Sequence, residues 1–305
     1  MRNLARSVSE PPSTTTRGRP PRVVRIPDTP DLVGRPREVA ATLRAAGEPL
    51  PLWLAVAGKG GAGKSVLSGT LARVLARRGH RVLAVDSDPM PGMASSLGVA
   101  EPAVTALRAA TEKPEGRPWQ LRRGIGPARV VRDFTTLAPD GVRLLQLGKA
   151  GPDGLTPEVT AVNAFLQFVH RIGDTPSLRR WTVVGDLPAG PRHPGAGFSA
   201  YAHLYLVVVQ PTSQSALAAR RILRLAREHL GADVLVVASQ IADADARRRV
   251  ERLLGESVDA EIPADRAVRD AERRGHAVID AAPDSAVVRA VEALADRLEA
   301  RRLTP

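Results

Sequence analysis

The chain has 305 residues, of which 43% are hydrophobic and 3% aromatic, and it carries a net charge of +12. It contains no cysteine, which excludes disulfides, thiolate metal sites and iron–sulfur ligation by the protein. The low aromatic content argues against a base-stacking surface for single-stranded nucleic acid. The sequence has no apolar run of membrane-spanning length and no N-terminal apolar h-region, so we expect a cytoplasmic protein.

The positive charge is almost entirely arginine, and the only lysines are Lys59, Lys64, Lys113 and Lys149. Two interpretations of this charge stay open. It indicates either an anionic polymer as partner, or a compositional preference for arginine spread over solvated helices.

Residues 1–31 are rich in Pro, Ser, Thr and Arg, which predicts a disordered tail. Within it, Arg17-Gly18-Arg19-Pro20 resembles the core of an AT-hook, a weak signal for minor-groove DNA binding. The segment 32–51 is predicted to be a short helical lead-in, with its helix over residues 35–47.

From Leu52 onward, short apolar runs alternate with amphipathic stretches. The apolar runs predict strands at Leu52–Ala57, Arg81–Val85, Val142–Leu147, Trp181–Val184, Leu204–Val209, Val234–Ala238 and Val258–Ile262. The amphipathic stretches predict helices at Lys64–Gly79, Pro157–Ile172, Ser213–Leu230, Asp243–Leu254 and Asp284–Arg302. This alternation indicates an α/β fold with a mostly parallel central sheet and helices on both faces. We assign it to one domain, residues 52–305, in which residues 111–141 show no clear periodicity.

The first predicted strand leads into Gly58-Lys59-Gly60-Gly61-Ala62-Gly63-Lys64-Ser65, which fits the Walker A pattern between a strand and a helix. Glycines let backbone N–H groups turn inward around phosphates, and the helix N-terminus adds partial positive charge. In this pattern Lys64 reaches the β- and γ-phosphates and the Ser65 hydroxyl binds Mg²⁺. We therefore expect the stretch from Gly58 through Val66 to bind ATP.

Two further predicted strands lead into aspartates. Asp86-Ser87-Asp88-Pro89 closes the second strand, at the edge where parallel sheets bind nucleotides. Asp186 closes the run Trp181–Val184 in a Walker B arrangement, which makes it a candidate Mg²⁺ ligand. Gly190, four residues later, could place its N–H near the γ-phosphate. A helix cap or Asx turn remains the alternative for the first pair, and an ordinary strand-end aspartate for Asp186.

The string Lys59-Gly60-Gly61-Ala62-Gly63-Lys64-Ser65 resembles the deviant Walker A motif of the MinD/ParA class of P-loop ATPases. The resemblance implies that Lys59 reaches across a dimer interface to the partner's ATP, so that the protein forms a homodimer with ATP. It also implies that Asp88 orients the attacking water and that Asp86 holds Mg²⁺ through water. The catalytic candidates are therefore Lys59, Lys64 and Asp88, and the metal candidates are Ser65, Asp86 and Asp186.

Two later stretches resemble the adenine contacts of the same class. Gln240 follows the predicted strand Val234–Ala238, where the class usually has an asparagine that reads the adenine edge, and glutamine makes the same pair of hydrogen bonds. Glu261-Ile262-Pro263-Ala264-Asp265 resembles an adenine-flanking Ile-Pro-x-Asp loop, which implicates Pro263 and Asp265. Asp265 could equally cap the helix that follows.

Within the class, several less specific stretches are more similar to CooC-type ATPases, which mature nickel-containing CO dehydrogenase. They are Asp86-Ser87-Asp88-Pro89 with Leu97-Gly98, the run from Asp140 to Lys149, and Val209-Gln210-Pro211-Thr212-Ser213-Gln214-Ser215. CooC-type proteins carry a Cys-x-Cys pair where residues 150–157 here have none, so binding of nickel or an iron–sulfur cluster through cysteine is excluded. The first switch also departs from the class, since it reads Met90-Pro91-Gly92-Met93 instead of an Asn-rich sequence.

The resemblance implies a switch that hydrolyses Mg–ATP, slowly or on stimulation, and acts on a protein client. A ParA-like ATPase that binds DNA non-specifically in its ATP state is the alternative, motivated by the basic surface and the tail. A MinD-like membrane helix is a third option for Asp284–Arg302. Its acidic residues and lack of aromatics favour a helix packed on the sheet instead.

Overall fold

The computed structural model describes Ala45 and residues 51–88, 92–100, 106–117, 119–147 and 158–302. The strands are β1 (Trp53–Gly58), β2 (Val82–Asp86), β3 (Thr111–Glu112), β4 (Gln120–Leu121), β5 (Thr136–Leu137), β6 (Arg143–Gln146), β7 (Thr182–Asp186), β8 (Leu204–Val209), β9 (Asp233–Ile241) and β10 (Ala260–Pro263). The α-helices are α1 (Lys64–Arg77), α2 (Met93–Leu97), α3 (Ala106–Ala109), α4 (Pro127–Asp133), α5 (Glu158–Arg171), α6 (Arg192–Gly195), α7 (Ser213–Arg224), α8 (Ala244–Leu254), α9 (Arg266–Arg273), α10 (Val278–Ala281) and α11 (Ala286–Arg302). Short 3₁₀ turns lie at Pro139–Gly141 and Pro176–Leu178, and a π-helical turn, Leu225–His229, follows α7.

Eight of the strands form one sheet in the order β10-β9-β8-β1-β7-β2-β6-β5, and β3 and β4 form a separate antiparallel pair. Within the large sheet every pair is parallel except β5–β6. Parallel strands end at one edge of a sheet, so the loops that follow β1, β2, β7, β8, β9 and β10 open on the same side. This edge is the place to look for a binding site.

Helices cover both faces of the sheet, as the continuous apolar strands predict. On one face Leu54 and Val56 of β1 pack with α1, α2 and α11. On the other face Trp53 packs with α5, while Ala55 packs with α7. Trp53 is fully buried, and its indole N–H donates to the carbonyl oxygen of Trp181 at 3.0 Å.

A buried arginine of α1 forms ion pairs with two other segments of the chain. The Arg73 side chain is 3% exposed, and its Nε donates to Asp140 at 2.7 Å while its Nη1 pairs with Asp280. Asp140 precedes β6 and Asp280 belongs to α10, so this cation joins α1 to two distant segments. The helix that follows the glycine-rich loop is thereby held in place at its far end.

The strands and helices predicted between residues 52 and 302 are present, with ends that shift by a few residues. One difference concerns the site: β9 continues to Ile241, so Gln240 lies inside the strand and not after it. Residues 111–141, which showed no periodicity, contain the β3–β4 pair, α4 and β5. These elements are too short for a periodic pattern to emerge.

Several predictions fall outside the described residues: the tail 1–31, the lead-in 32–51 apart from Ala45 and Pro51, the first-switch residues 89–91, and the segment 150–157. The prediction for the last helix is confirmed, because Val287, Val291, Leu294 and Leu298 of α11 are buried in the core. Among the described residues, no helix combines the length and apolarity required to cross a membrane.

Candidate nucleotide-binding site

The loop between β1 and α1 depends on glycines for its course. A Cβ on Gly58 would stand 2.5 Å from the carbonyl oxygen of Val208, so a side chain there would collide with β8. Gly61 and Gly63 have φ angles of 77° and 87°, a left-handed conformation that glycine adopts without strain. Gly63 caps α1 without a side-chain hydrogen bond, so the first N–H groups of the helix face the loop. Such a helix N-terminus favours an anion.

The two lysines of the loop differ in burial. Lys64 is 7% exposed, and its Nζ lies 3.5 Å from the carbonyl oxygen of Lys59. The same carbonyl accepts a hydrogen bond from the N–H of Ala62 at 3.3 Å. Lys59 is half-buried and precedes the exposed Gly60 and Gly61. The ammonium group of Lys64 is therefore already folded back over the loop in which it would contact phosphate.

Asp86 and Asp186 stand side by side at the ends of β2 and β7, where their Cα atoms are partners in the strand register. They are 0% and 1% exposed. The N–H groups of Asp88 and Met93 donate to the two oxygens of Asp86, each at 3.1 Å. In contrast, neither oxygen of Asp186 makes a hydrogen bond within the part of the chain that the structure describes. One carboxylate is satisfied and its neighbour is not.

Burial dominates the electrostatics of this pair. Burial, with the charge of Asp186 added, raises the pKa of Asp86 to about 8. Burial also raises the pKa of Asp186 to about 6, and this rise is opposed by the Ser65 hydroxyl, which stops short of hydrogen-bond geometry, and by Lys64. Two adjacent buried carboxylates with raised pKa values are groups that a cation would stabilise.

The donor set fits Mg²⁺ better than a transition metal. Within the described ranges, no group of three or more His, Cys, Asp or Glu side chains is arranged to hold a metal ion. Mg²⁺ does not need such a group, because it binds through one or two carboxylates, water and substrate phosphates. The unsatisfied Asp186, next to Ser65 and Asp86, offers this kind of partial ligand set.

Asp88 lies just beyond Asp86 and is half-buried. Its backbone N–H closes an Asx turn on Asp86, so the turn that was the alternative interpretation is present. The charge of Asp88 also acts on His193 of α6, where burial nevertheless holds the pKa below its usual value. His193 packs edge-on against Phe198, with ring centroids 5.2 Å apart.

The loop after β7 is bonded to the phosphate-binding loop. The N–H of Gly190 donates to the carbonyl oxygen of Gly58 at 3.0 Å, so this N–H is engaged with backbone in the present conformation. Gly92, after β2, approaches from the other side, since a Cβ there would lie 2.9 Å from the Ser65 hydroxyl oxygen. The structure thus brings the glycine-rich loop, the loop after β2 and the loop after β7 together near Ser65.

A cavity of about 400 Å³ opens beside Gly63 and Val66. Its walls come mainly from β9, β10, α9 and α11 and include Gln240, Pro263 and Asp265. These are the residues predicted to lie near adenine, and the largely apolar lining of Val66, Ile262 and Val291 suits a flat base.

Asp265 is fully occupied by structural hydrogen bonds. Its Oδ1 accepts from the N–H of Ala267 at 2.8 Å, which caps α9, and its Oδ2 accepts from the N–H of Val287 at 3.2 Å. Of the two roles predicted for Asp265, the helix cap is the one that the contacts display. The residue shapes the cavity by holding α9 and α11 together.

Gln240 contacts the phosphate-binding loop. Its backbone is left-handed, with φ of 57°, and its Nε2 donates to the carbonyl oxygen of Gly61 at 2.9 Å. Gln210, which follows β8, joins this contact. Reasoning from the sequence gave no site role to Gln210, which it noted only within a CooC-like stretch, or to His193, which belongs to no motif. The signal that could have found them was position, since Gln210 directly follows β8 and His193 lies in α6, after β7.

Comparisons with known proteins agree with this geometry. Residues 53–279 match the family described as the CobQ/CobB/MinD/ParA nucleotide binding domain. The carbon monoxide dehydrogenase accessory protein CooC of Rhodospirillum rubrum is 29% identical over 248 residues, which cover 75% of this chain and 90% of that protein.

Two solved structures show the same fold. The septum site-determining protein MinD of Pyrococcus horikoshii, complexed with Mg-ADP, superposes with a TM-score of 0.62 at 17% identity, over 81% of this chain and 96% of that one. A ParA family ATPase from Chlorobium tepidum superposes with a TM-score of 0.61 at 17% identity, over 80% and 98% of the two chains. With a family match that spans most of the chain and a MinD-like sheet, the chain belongs to the CobQ/CobB/MinD/ParA nucleotide-binding family.

Proposed function

We propose that the protein binds and hydrolyses Mg–ATP, dimerises around it, and acts as a switch on a protein client. The observation that carries the proposal is the convergence of buried Lys64 and the unsatisfied carboxylate of Asp186 at the N-terminus of α1. A buried cation and a buried anion without full partners are costly unless a charged ligand completes them. Mg–ATP supplies both missing charges.

The phosphates would lie against the backbone N–H groups from Gly60 to Val66. Lys64 would leave the Lys59 carbonyl, to which it is held at only 3.5 Å, and contact the β- and γ-phosphates. The adenine would enter the 400 Å³ cavity next to Val66, between the phosphate-binding loop and Pro263. Catalysis in such a site consists mostly of positioning and charge stabilisation.

Ser65, Asp86 and Asp186 would hold Mg²⁺, which on binding neutralises negative charge on the phosphate oxygens. Asp88 would orient a water molecule, a role supported by its position just beyond the strand end, where it is half-buried while Asp86 is fully buried. Gly190 would exchange its hydrogen bond to Gly58 for one to the γ-phosphate, which would let the loop after β7 respond to hydrolysis.

Lys59 would act across the dimer, on the ATP of the partner subunit. The test is sedimentation of the Asp88→Ala protein, which should retain ATP, with ATP or ADP present. We expect an ATP-dependent dimer that Lys59→Ala weakens about tenfold or more, because a charge-assisted contact between subunits is lost. The matched control is Lys113→Ala, which removes an exposed lysine of the same domain. Equal dimerisation of the Lys59→Ala and Lys113→Ala proteins would refute the role in trans.

A protein client is supported by the similarity to CooC, which is named as an accessory protein of another enzyme. The chain has no cysteine, so the client function cannot include thiolate transfer of nickel or an iron–sulfur cluster. The ATP-bound Asp88→Ala protein is the suitable bait for such a client.

A ParA-like function, in which the ATP dimer binds DNA non-specifically, is favoured by one surface. Helix α7 exposes Arg220, Arg221 and Arg224 and contains no acidic residue. Several arginines of other elements are paired with acids, as in Arg248–Asp245, Arg273–Asp270 and Arg227–Glu256. Binding of random duplex DNA at about 0.15 M salt, only with ATP and lost in the variant Arg221→Gln/Arg224→Gln, would establish this function. Absence of binding with either nucleotide would make the charge compositional.

A further inference from the structure

Two glutamine amides hold the exposed tip of the phosphate-binding loop. The carbonyl oxygen of Gly61 accepts from Gln240 Nε2 at 2.9 Å and from Gln210 Nε2 at 3.3 Å. Gln210 Nε2 also donates to Gln240 Oε1 at 2.9 Å, so the two side chains are bonded to each other. We call this arrangement the amide clamp, formed by Gln210, Gln240 and the Gly61 carbonyl.

The orientation of both amides is determined by their partners. A carbonyl oxygen can only accept, so both glutamines must present their NH₂ groups to Gly61. If either amide turned over, oxygen would face oxygen, and the bond between the two side chains would also be lost. The clamp is therefore consistent in only one arrangement of donors and acceptors.

Each glutamine is itself held at its backbone. The N–H of Gln210 donates to the hydroxyl of buried Ser215 at 3.0 Å, and its carbonyl accepts from the N–H of Thr212 at 2.7 Å. Gln240 has a left-handed backbone, uncommon for a residue with a long side chain, and the β9–β10 register shifts beside it, between Ile262 and Pro263. Departures from regular strand geometry of this kind tend to occur at functional positions.

Gly61 is the residue that needs such a restraint. It has no side chain, its φ is 77°, and a Cβ built on it would meet no atom within 4 Å. A glycine peptide in open space can rotate and turn its carbonyl oxygen toward the anion site, where it would repel phosphate. Two donors on this oxygen keep it engaged by protein.

We propose that Gln210 and Gln240 act as positioning residues that set the phosphate-binding loop in its nucleotide-binding conformation through Gly61. The inference deepens the proposed function and rests on it. It changes the role predicted for Gln240, because the amide that was expected to read adenine is engaged with the loop. Gln240 also lines the cavity, so one side chain joins the wall of the base site to the phosphate site.

The test uses the full chain with Gln210→Met, Gln240→Met and the double variant, since methionine keeps length but cannot donate. The control is Gln214→Met, which changes an exposed glutamine on α7. The first readout is hydrogen exchange of the peptide that covers residues 59–63, without nucleotide. We expect exchange about three- to tenfold faster in both single variants, because each hydrogen bond restrains the loop.

The second readout is affinity for ADP and for inorganic tripolyphosphate, measured by calorimetry. The clamp predicts that each single variant loses about three- to tenfold in affinity for both ligands. The double variant should bind more weakly than either single variant, but its total fold-loss should be smaller than the product of the two single fold-losses, because the two amides are coupled. A Gln240→Met protein that loses ADP but keeps tripolyphosphate would show base reading and overturn the proposal, as would unchanged exchange in Gln210→Met. If the unaltered protein bound neither ligand, the proposed function would fail, while the exchange data would still decide whether the clamp restrains the loop.

Discussion

The proposed phosphate end of the site comes from one stretch of chain, Gly58 to Val66, whereas the proposed base end takes its walls from positions as distant as Gly63 and Val291. At the phosphate end, spacing within a few residues sets the geometry, because a strand, a glycine loop and a helix N-terminus follow one another directly. At the base end, the cavity exists only because β9, β10, α9 and α11 come together. The first can be inferred from a local pattern, and the second depends on the complete fold.

The largest expected effect is at the phosphate end. Lys64→Ala should weaken ADP binding about 30- to 150-fold, since it removes a nearly buried cation that would contact the β-phosphate. Calorimetric titration with ADP measures the loss, and Lys113→Ala is the control. A loss below threefold would mean that the base end, and not the phosphate end, contributes most of the free energy of ADP binding.

Asp186→Asn should raise the folding stability of the protein while it removes the effect of Mg²⁺ on ADP binding. The pKa of the buried carboxylate is raised from 3.8 to about 6, so folding stability is lost as the pH rises from the lower to the upper of these values, and the loss is complete above about pH 6. We expect the variant to be more stable by about 2–3 kcal/mol at pH 8 without nucleotide, and no more stable near pH 4. Mg²⁺ should then no longer improve its ADP affinity.

Urea unfolding across this pH range tests the first part of that prediction. If the asparagine variant were less stable at pH 8, the carboxylate would have a partner that offsets its burial. If Mg²⁺ still improved its ADP affinity, Asp186 would not be a ligand.

The smallest expected effect is at the base end. Ala264 is exposed and lines the cavity, so Ala264→Trp should obstruct it without disturbing the core. We expect ADP to bind about tenfold more weakly and tripolyphosphate to bind as before, because only the base would lose contacts. Competition between the two ligands measures both numbers in one titration. An equal loss for both ligands would show that the two ends are not separable.

Sequence reasoning succeeded where chemistry and spacing are local. The strand before Gly58, the helix after Gly63 and the aspartates at the ends of β2 and β7 were all identified in the correct order. The parallel sheet followed from apolar runs that are buried on both faces.

It noted Gln210 only as part of a CooC-like stretch and gave it no role in the site, because the contact of this glutamine with the loop appears only when β8 and β9 are placed beside it. The two roles predicted for Asp265 could not be separated for a similar reason. The N–H of Val287, which occupies its second oxygen, is 22 residues away in sequence. Contacts across such distances become visible only when packing is known.

Trp53 has a practical consequence for these experiments. It is fully buried at the start of β1, while the glycine loop begins at the opposite end of the same strand. Six residues of extended chain, about 20 Å, separate the indole from the glycine loop. Its hydrogen bond to the Trp181 carbonyl joins the Trp181 backbone to the same far edge of the sheet. With Trp119 and Trp181 replaced, emission from Trp53 should therefore act as a spectroscopic reporter of global unfolding that stays insensitive to nucleotide occupancy, so that stability and binding can be followed in the same cuvette.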